Sequence, residues 1–160
     1  MQLACLTAAA LHEGGHLLSC FLLGIEVRRL RLNVLGAVLD TDSRCQSGWE
    51  EAVVALAGPL ANLCSIPPAL AVHQSLLAGA SLLLGTFNLL PADPLDGSCI
   101  LHGLLSVRGD LDRADRIVGR LSRWAERLLL AAGVVLGALG NRSLLLVALW
   151  LVLGRKRETE

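Results

Sequence analysis

The separation of apolar and charged residues into alternating stretches is the feature that most constrains the fold of this chain. Five apolar stretches stand out, at Leu3–Ile25, Ala52–Val72, Leu76–Leu90, Leu128–Leu139 and Leu144–Leu153. The first two approach the roughly 20 residues that an apolar helix needs to cross a bilayer. Composition agrees, since 54% of the residues are hydrophobic, 18% are charged and the mean hydropathy is +0.60. The pattern predicts a membrane protein with about five helical spans.

The distribution of basic residues supports this number of spans. The last two apolar stretches are separated by Gly140, Asn141 and Arg142. In one long helix Arg142 would lie near the bilayer centre, where an arginine costs roughly 2.5–3.5 kcal/mol, so two short tilted spans fit better. With five spans, all but one of the 14 basic residues fall on one side of the membrane. The positive-inside rule then predicts a multi-pass protein of the cell membrane, with the basic loops and the C-terminus in the cytoplasm.

The polar segments predict two further elements. Val27–Asp40, between the first two spans, has a partial period of two and predicts a short β-hairpin at the membrane surface. Residues 108–127 carry aspartates early and arginines later, which suits an amphipathic helix lying on the interface. The fold class is therefore an all-α polytopic membrane protein with one short hairpin. We predict a single domain over residues 1–160, which comprises a core (1–105), an interfacial connector (106–127) and a C-terminal helical hairpin (128–154).

Charge and cysteine usage exclude some classes of protein. The 14 basic and 14 acidic residues give a formal net charge of zero, so no nucleic-acid partner is predicted. The cysteines are odd in number and form no C-x-x-C pair, which predicts structural thiols and neither a zinc finger nor a disulfide framework. They are Cys5, Cys20, Cys45, Cys64 and Cys99.

An H-E-x-x-H motif, His12-Glu13-Gly14-Gly15-His16, interrupts the first apolar stretch. On a helix the two imidazoles lie one turn apart on the same face, which suits a tetrahedral zinc ion whose last position is left to water. We predict that His12 and His16 are ligands of one Zn²⁺ per chain, and that Glu13 is the general base. The alternative is a helix kept polar for packing, in which these ionisable groups would need other buried partners.

A third ligand must come from elsewhere, and the segment Asn88–Gly97 offers Asp93 and Asp96. Pro91 and Pro94 cannot continue a regular helix there. Broken backbone at membrane depth is tolerated only where it is buried in protein or lines a water-filled cavity, and a hydrolytic metal site needs such a place. Both carboxylates are candidates on these grounds. His73 and His102 flank the spans and are not assigned to the metal.

These two motifs together, H-E-x-x-H and later N-x-x-P-x-x-x-L-D-G, resemble the site-2 protease family of intramembrane zinc metalloproteases. The nearest type is the stage IV sporulation protein FB. The resemblance implies that Asp96 is the third zinc ligand, that Asp93 is a loop residue and that Asn88 contacts the substrate backbone. It also extends to Gly58-Pro59-Leu60-Ala61-Asn62. At Gly58 and Pro59 we expect close helix packing and a kink. For Asn62 two roles stay open: its side-chain amide bridges two helices, or it lies near the substrate or the transition-state oxyanion.

The resemblance also implies an activity and a substrate class. The activity is hydrolysis of a peptide bond in or next to a membrane-associated segment of a regulatory protein, with sporulation sigma-factor processing as one example. The edge of the predicted hairpin would hold such a membrane-tethered substrate extended by β-addition. An inhibitory membrane protein is a second partner that the sequence leaves open.

One departure from the sporulation type and two alternative functions remain. Relatives of that type usually carry a further helix before the zinc-binding one, so we expect either a minimal version or an upstream helix. In a minimal version, lipid or a second subunit covers Leu3 and Ala8, which makes a homo-oligomer a predicted partner state. The first alternative is a catalytically silent membrane scaffold, against which the intact Glu13 argues. A metal transporter would instead distribute polar residues over several spans.

Overall fold

The computed structural model describes residues 1–25, 27–33, 36–41, 47–107 and 109–138, with side chains except in the strands and at residues 136–138. Within these ranges the chain forms five helices and two strands. The helices are α1 (Gln2–Leu23), α2 (Gly48–Ala71), α3 (Ser75–Asn88), α4 (Asp96–Ser106) and α5 (Leu111–Ala138). The strands are β1 (Val27–Asn33) and β2 (Gly36–Thr41).

Helix α2 is central, since α1, α3 and α4 all pack against it and α5 packs against α4. A capping box sets its beginning. The Ser47 hydroxyl accepts from the Glu50 backbone N–H at 3.3 Å, and Glu50 Oε2 accepts from the Ser47 N–H at 2.8 Å. This S-x-x-E pattern is readable in the sequence, and it begins the helix at Gly48, before the predicted apolar stretch at Ala52.

Glycines bring α1 and α4 close to α2. A Cβ atom at Gly15 of α1 would lie 2.5 Å from the Ala57 carbonyl oxygen and 2.8 Å from the Ala61 Cβ of α2. On the other side, Gly103 of α4 meets the backbone of α2 at Gly48. Small residues at helix contacts let backbones approach, as is typical of helix packing in membranes.

The buried face of α1 is more polar than its exposed face. Its buried residues are Ala8, His12, His16, Ser19 and Cys20. Its large apolar side chains point outward: Phe21 is 81% exposed, whereas His12 is 6% exposed. A helix of a soluble protein buries its apolar stripe. The reverse arrangement is expected where the apolar face meets lipid and the polar face lines a site.

Among the described residues, α2 alone is long and apolar enough to cross a membrane. Helix α3 is apolar but has only 14 residues. The predicted number of about five spans is therefore not confirmed, and the orientation in the membrane also stays a prediction. The last predicted span, Leu144–Leu153, and the turn at Arg142 lie outside the described residues.

The C-terminal part of the described chain differs from the sequence prediction. Helix α5 continues through residues 127–128, where we expected the interfacial connector to end and a helical hairpin to begin. The sequence becomes more apolar there, but Leu111–Ala138 contains no proline that would interrupt the helical hydrogen bonds. Ala125 and Leu129 of α5 pack against the buried cluster of Ala92 and Leu95 in the segment before α4, which holds α5 on the rest of the fold.

Strands β1 and β2 pair antiparallel, with Leu30 opposite Leu39 and Asn33 opposite Gly36. Residues 34 and 35, which join them, lie outside the described residues. A position of this strand pair at the membrane surface stays a prediction.

Candidate metal centre

Three side chains from two separate helices, His12, His16 and Asp96, direct ligand atoms at one point. The two histidines lie one turn apart on α1, and their Nε2 atoms are 3.2 Å from each other. Asp96 Oδ2 lies 3.0 Å from His12 Nε2, and Asp96 Oδ1 lies 3.5 Å from His16 Nε2. All three ligand atoms are within 4.8 Å of one another. The structure therefore brings together the three residues that the sequence predicted as metal ligands.

The second nitrogen of each imidazole faces α2. His16 Nδ1 lies 2.8 Å from the Val54 carbonyl oxygen, so Nδ1 carries the proton and donates it to this acceptor. His12 Nδ1 lies 3.2 Å from Asn62 Nδ2. Since the neutral ring of His16 has its proton on Nδ1, its Nε2 presents a lone pair to the site.

Gly58 allows the His16 ring to lie directly against α2. A Cβ atom at Gly58 would overlap three atoms of the imidazole, Nε2, Cε1 and Cδ2. The close packing predicted at Gly58 is thus confirmed, and the group packed there is a predicted zinc ligand. Val54, Gly58 and Asn62 recur every four residues, so one face of α2 contacts both histidines of α1.

Asp96 enters the site as the first residue of α4. Helix α3 ends at Asn88, so the predicted break before Asp96 is confirmed. A carboxylate in the first turn of a helix is favoured by the helix dipole. At Gly97 a Cβ atom would overlap the carbonyl oxygens of Leu89 and Leu90. The close approach of α4 to this backbone therefore requires glycine at position 97.

Other predicted site residues take different positions. Glu13 follows His12 on α1 and is partly buried. Asp93 lies in the segment between α3 and α4, where its backbone N–H donates to the Ser122 hydroxyl of α5 at 3.3 Å. Asn88 Nδ2 donates to the Leu84 carbonyl within α3 at 3.0 Å. The roles of Glu13 as general base and Asn88 as a substrate contact stay predictions.

The two remaining histidines make contacts away from the three ligands. His73 is exposed in the turn after α2, with a φ of 58°. His102 of α4 joins two neighbouring helices: its Nδ1 lies 3.0 Å from both carboxylate oxygens of Glu51 on α2, and its Nε2 lies 3.1 Å from Asp115 Oδ1 on α5. These positions agree with leaving both histidines out of the metal site.

Asn62 is fully buried, with 0% of its surface exposed, and its amide contacts His12. A role of Asn62 near the substrate or oxyanion, one of its two open interpretations, stays a prediction. The other open interpretation, an amide that bridges helices, describes its contact with α1. The spacing of Gly58 and Asn62 in the sequence placed both on one helix face, but it did not show which helix that face meets.

The chemistry of the donor set fits zinc. Two imidazole nitrogens and one carboxylate oxygen form a known ligand set of catalytic zinc sites, which keep a further position for water. Asp96 Oδ2 is buried, and it lies 3.0 Å from His12 Nε2. A buried carboxylate oxygen is costly unless it is paired. A cation held by His12, His16 and Asp96 would provide that pairing.

An H-E-x-x-H motif on a helix is a zinc-binding pattern of metalloproteases. The structure matches the Site-2 Protease from Methanocaldococcus jannaschii with a TM-score of 0.77 and 26% identity, covering 99% of this chain and 76% of that chain. In sequence, the zinc metalloprotease of the same organism is 27% identical over 95% of this chain and 47% of its own length. The zinc metalloprotease Rip3 of Mycobacterium tuberculosis is 30% identical over 100% of this chain and 45% of its own length.

A zinc metalloprotease of Synechocystis is also 30% identical, over 76% of this chain and 36% of its own length. No protein-family model matches the chain. The chain spans less than half the length of the curated relatives it matches. Its homologues are thus zinc metalloproteases and its fold matches that of a site-2 protease, whereas the sporulation type is not confirmed.

Proposed function

We propose that this chain is an intramembrane zinc metalloendopeptidase of the site-2 type. The convergence of ligand atoms from His12, His16 and Asp96 within 4.8 Å, next to Glu13, carries the proposal. The zinc metalloprotease names of the relatives and the fold shared with a site-2 protease support it.

His12, His16 and Asp96 would hold the zinc ion. Bound zinc supplies Lewis acidity, which polarises a peptide carbonyl and makes a water molecule a better nucleophile. Glu13 accepts a proton from the attacking water and then gives it to the leaving amine. The histidines keep Nε2 directed at the site because α2 contacts both rings from behind.

Two observations support a location of this site within the membrane. Helix α2, which orients both histidines, is long and apolar enough to span a bilayer, and α1 turns its large apolar side chains outward.

The Asp96 side chain is 20% exposed, whereas those of His12 and His16 are 7% and 8% exposed. Water and substrate therefore approach the ligands from the side of Asp96.

The substrate is proposed to be a membrane-tethered regulatory protein, and a sporulation factor precursor is one protein of this kind. A peptide must be extended before its carbonyl can reach a metal centre, since a helix engages its carbonyls in hydrogen bonds. The paired strands β1 and β2 offer backbone groups at an edge to which an extended segment can add. Asn88, at the end of α3, is the proposed contact for the substrate backbone.

Co-expression with a membrane-tethered reporter tests this function. Wild type should cleave the reporter, and Glu13→Gln should bind zinc but cleave about 10²- to 10⁴-fold more slowly, as expected for loss of a general base. Asp93→Asn is the matched control, because Asp93 contacts α5 through its backbone N–H, and it should cleave like wild type. Unchanged cleavage by Glu13→Gln would reject the role of Glu13. A zinc-loaded wild type that cleaves nothing would favour the silent scaffold.

A further inference from the structure

We propose that Asn62 is a positioning residue that hydrogen-bonds the His12 ring in both of its neutral tautomers, including the one required for zinc binding. This inference rests on the zinc site of the proposed function. Asn62 Nδ2 lies 3.2 Å from His12 Nδ1, and its other amide atom, Oδ1, is buried without a hydrogen-bond partner among the described residues. The amide nitrogen of Asn62 thus faces His12, and its amide oxygen accepts no hydrogen bond from the described residues.

Two states of His12 follow from this contact. With Nδ2 donating to Nδ1, the single proton of the neutral ring is on Nε2, which faces Asp96 Oδ2 at 3.0 Å. Zinc needs the lone pair of Nε2, so in the loaded state the ring proton is on Nδ1. An amide NH₂ cannot accept from that N–H, but a half-turn of the amide about its terminal bond presents Oδ1 to it. Asparagine can serve both states because it carries a donor and an acceptor.

The surroundings of Asn62 bury its side chain between helices. Gly85 of α3 lies close to this side chain, since a Cβ atom added at Gly85 would be 3.2 Å from the Asn62 Cβ. Its backbone carbonyl accepts from the Ser65 hydroxyl at 2.7 Å, and Ser65 in turn lies 3.0 Å from the Ser81 hydroxyl of α3. The side chain is therefore enclosed by three helices, and its amide contacts His12 of α1.

The two histidine ligands differ in how α2 fixes them. His16 donates to the Val54 carbonyl, which can only accept, so in the neutral ring its Nε2 is presented as a lone pair. His12 faces an amide that can donate or accept. Zinc loading should therefore change the tautomer of His12 and leave that of His16 unchanged.

Substitutions of Asn62 in the full-length chain, purified in detergent micelles, test the proposal. Asn62→Leu removes both hydrogen-bonding groups at a similar volume, and zinc affinity should fall about 10- to 100-fold, the range typical for residues that orient metal ligands. Asn62→Asp can accept the Nδ1 proton and should keep an affinity close to wild type. Ser65→Ala is the matched control, since it changes a polar neighbour on α2 but keeps the amide.

Two spectroscopic readouts separate positioning from packing. Cobalt in place of zinc should give the same absorption spectrum in wild type and Asn62→Asp, and an altered one in Asn62→Leu. Nitrogen NMR of ¹⁵N-labelled histidine should show the His12 proton on Nε2 in metal-free wild type and on Nδ1 after zinc is added. In Asn62→Asp the proton should be on Nδ1 in both states.

Equal loss of affinity in Asn62→Leu and Asn62→Asp, with both variants helical and monodisperse, would overturn the proposal in favour of simple packing. A wild-type affinity in Asn62→Leu would overturn it too. Should Asn62→Leu not fold, the position of the proton in Asn62→Asp decides the question. A wild type that binds zinc without cleaving the reporter rejects the protease function alone, whereas a wild type that binds no zinc rejects both.

Discussion

The imidazole of His16 lies against the backbone of α2 at Gly58, with no room for a methyl group between them. The Val54 carbonyl, 2.8 Å from His16 Nδ1, fixes the ring on the same helix. Any group that fills the space at Gly58 must displace the ring from both contacts. The position of one zinc ligand on α1 therefore depends on a glycine of α2.

Gly58→Ala should weaken zinc binding, because the new methyl group pushes His16 Nε2 out of the site. We expect a loss of roughly 10- to 100-fold in zinc affinity, as for other changes that misorient a metal ligand. Gly79→Ala on α3 is the control, since a Cβ atom there meets nothing within 4 Å. Competition with a zinc chelator measures both variants, and equal affinities would contradict the contact at Gly58.

The two glycines within the H-E-x-x-H motif should respond in opposite directions to alanine. A Cβ atom at Gly15 would lie 2.5 Å from the Ala57 carbonyl oxygen, so Gly15→Ala should lower the free energy of unfolding by about 1–3 kcal/mol through overpacking. A Cβ atom at Gly14 meets nothing within 4 Å, and alanine there should raise helix stability by up to about 1 kcal/mol. Unfolding in mixed micelles measures both, and equal effects would refute the packing of α1 on α2.

Ser47→Ala should destabilise the first turn of α2 by roughly 1 kcal/mol, because it removes the side-chain acceptor of the capping box. Hydrogen exchange of the backbone amides of Glu50 and Glu51 should then become faster. Ser75→Ala, at the beginning of α3, is the matched control, since no side-chain hydrogen bond caps that helix. Unchanged exchange in Ser47→Ala would show that the capping box does not stabilise α2 in solution.

Removal of zinc should lower the stability of the whole protein, because the ligands join α1 to α4. At a free zinc concentration about 100 times the dissociation constant, the ion should add about 2.7 kcal/mol to the free energy of unfolding. This increment should vanish in Asp96→Asn and persist in His102→Gln, since His102 contacts Glu51 and Asp115 instead of the site. Thermal unfolding with and without chelator measures it.

The metal ligands could be predicted from the sequence because their spacing is a local property. His12 and His16 share a helix face whenever the segment is helical, and the prolines after Asn88 required a break before Asp96. That the break brings Asp96 to the histidines followed from the resemblance to a family. Residue spacing alone left Asp93 equally eligible.

Contacts between helices could not be predicted in this way. The amide of Asn62 meets His12 only because α1 and α2 approach at their glycines, and a single sequence does not contain that distance. The change from charged to apolar residues near residue 127 predicts a boundary between elements, but α5 continues past it because no proline interrupts its hydrogen bonds. The beginning of α2 is set by the capping signal at Ser47 and Glu50, which hydropathy does not detect because these residues are polar.

Cleavage of a membrane-tethered substrate by the purified chain in proteoliposomes tests the central claim most directly. Metal-stripped wild type should be inactive and regain cleavage as one zinc per chain is restored. Glu13→Gln should bind the same amount of zinc and stay inactive. Cleavage by stripped wild type, or full activity of zinc-loaded Glu13→Gln, would contradict a zinc-dependent protease in which Glu13 handles the proton.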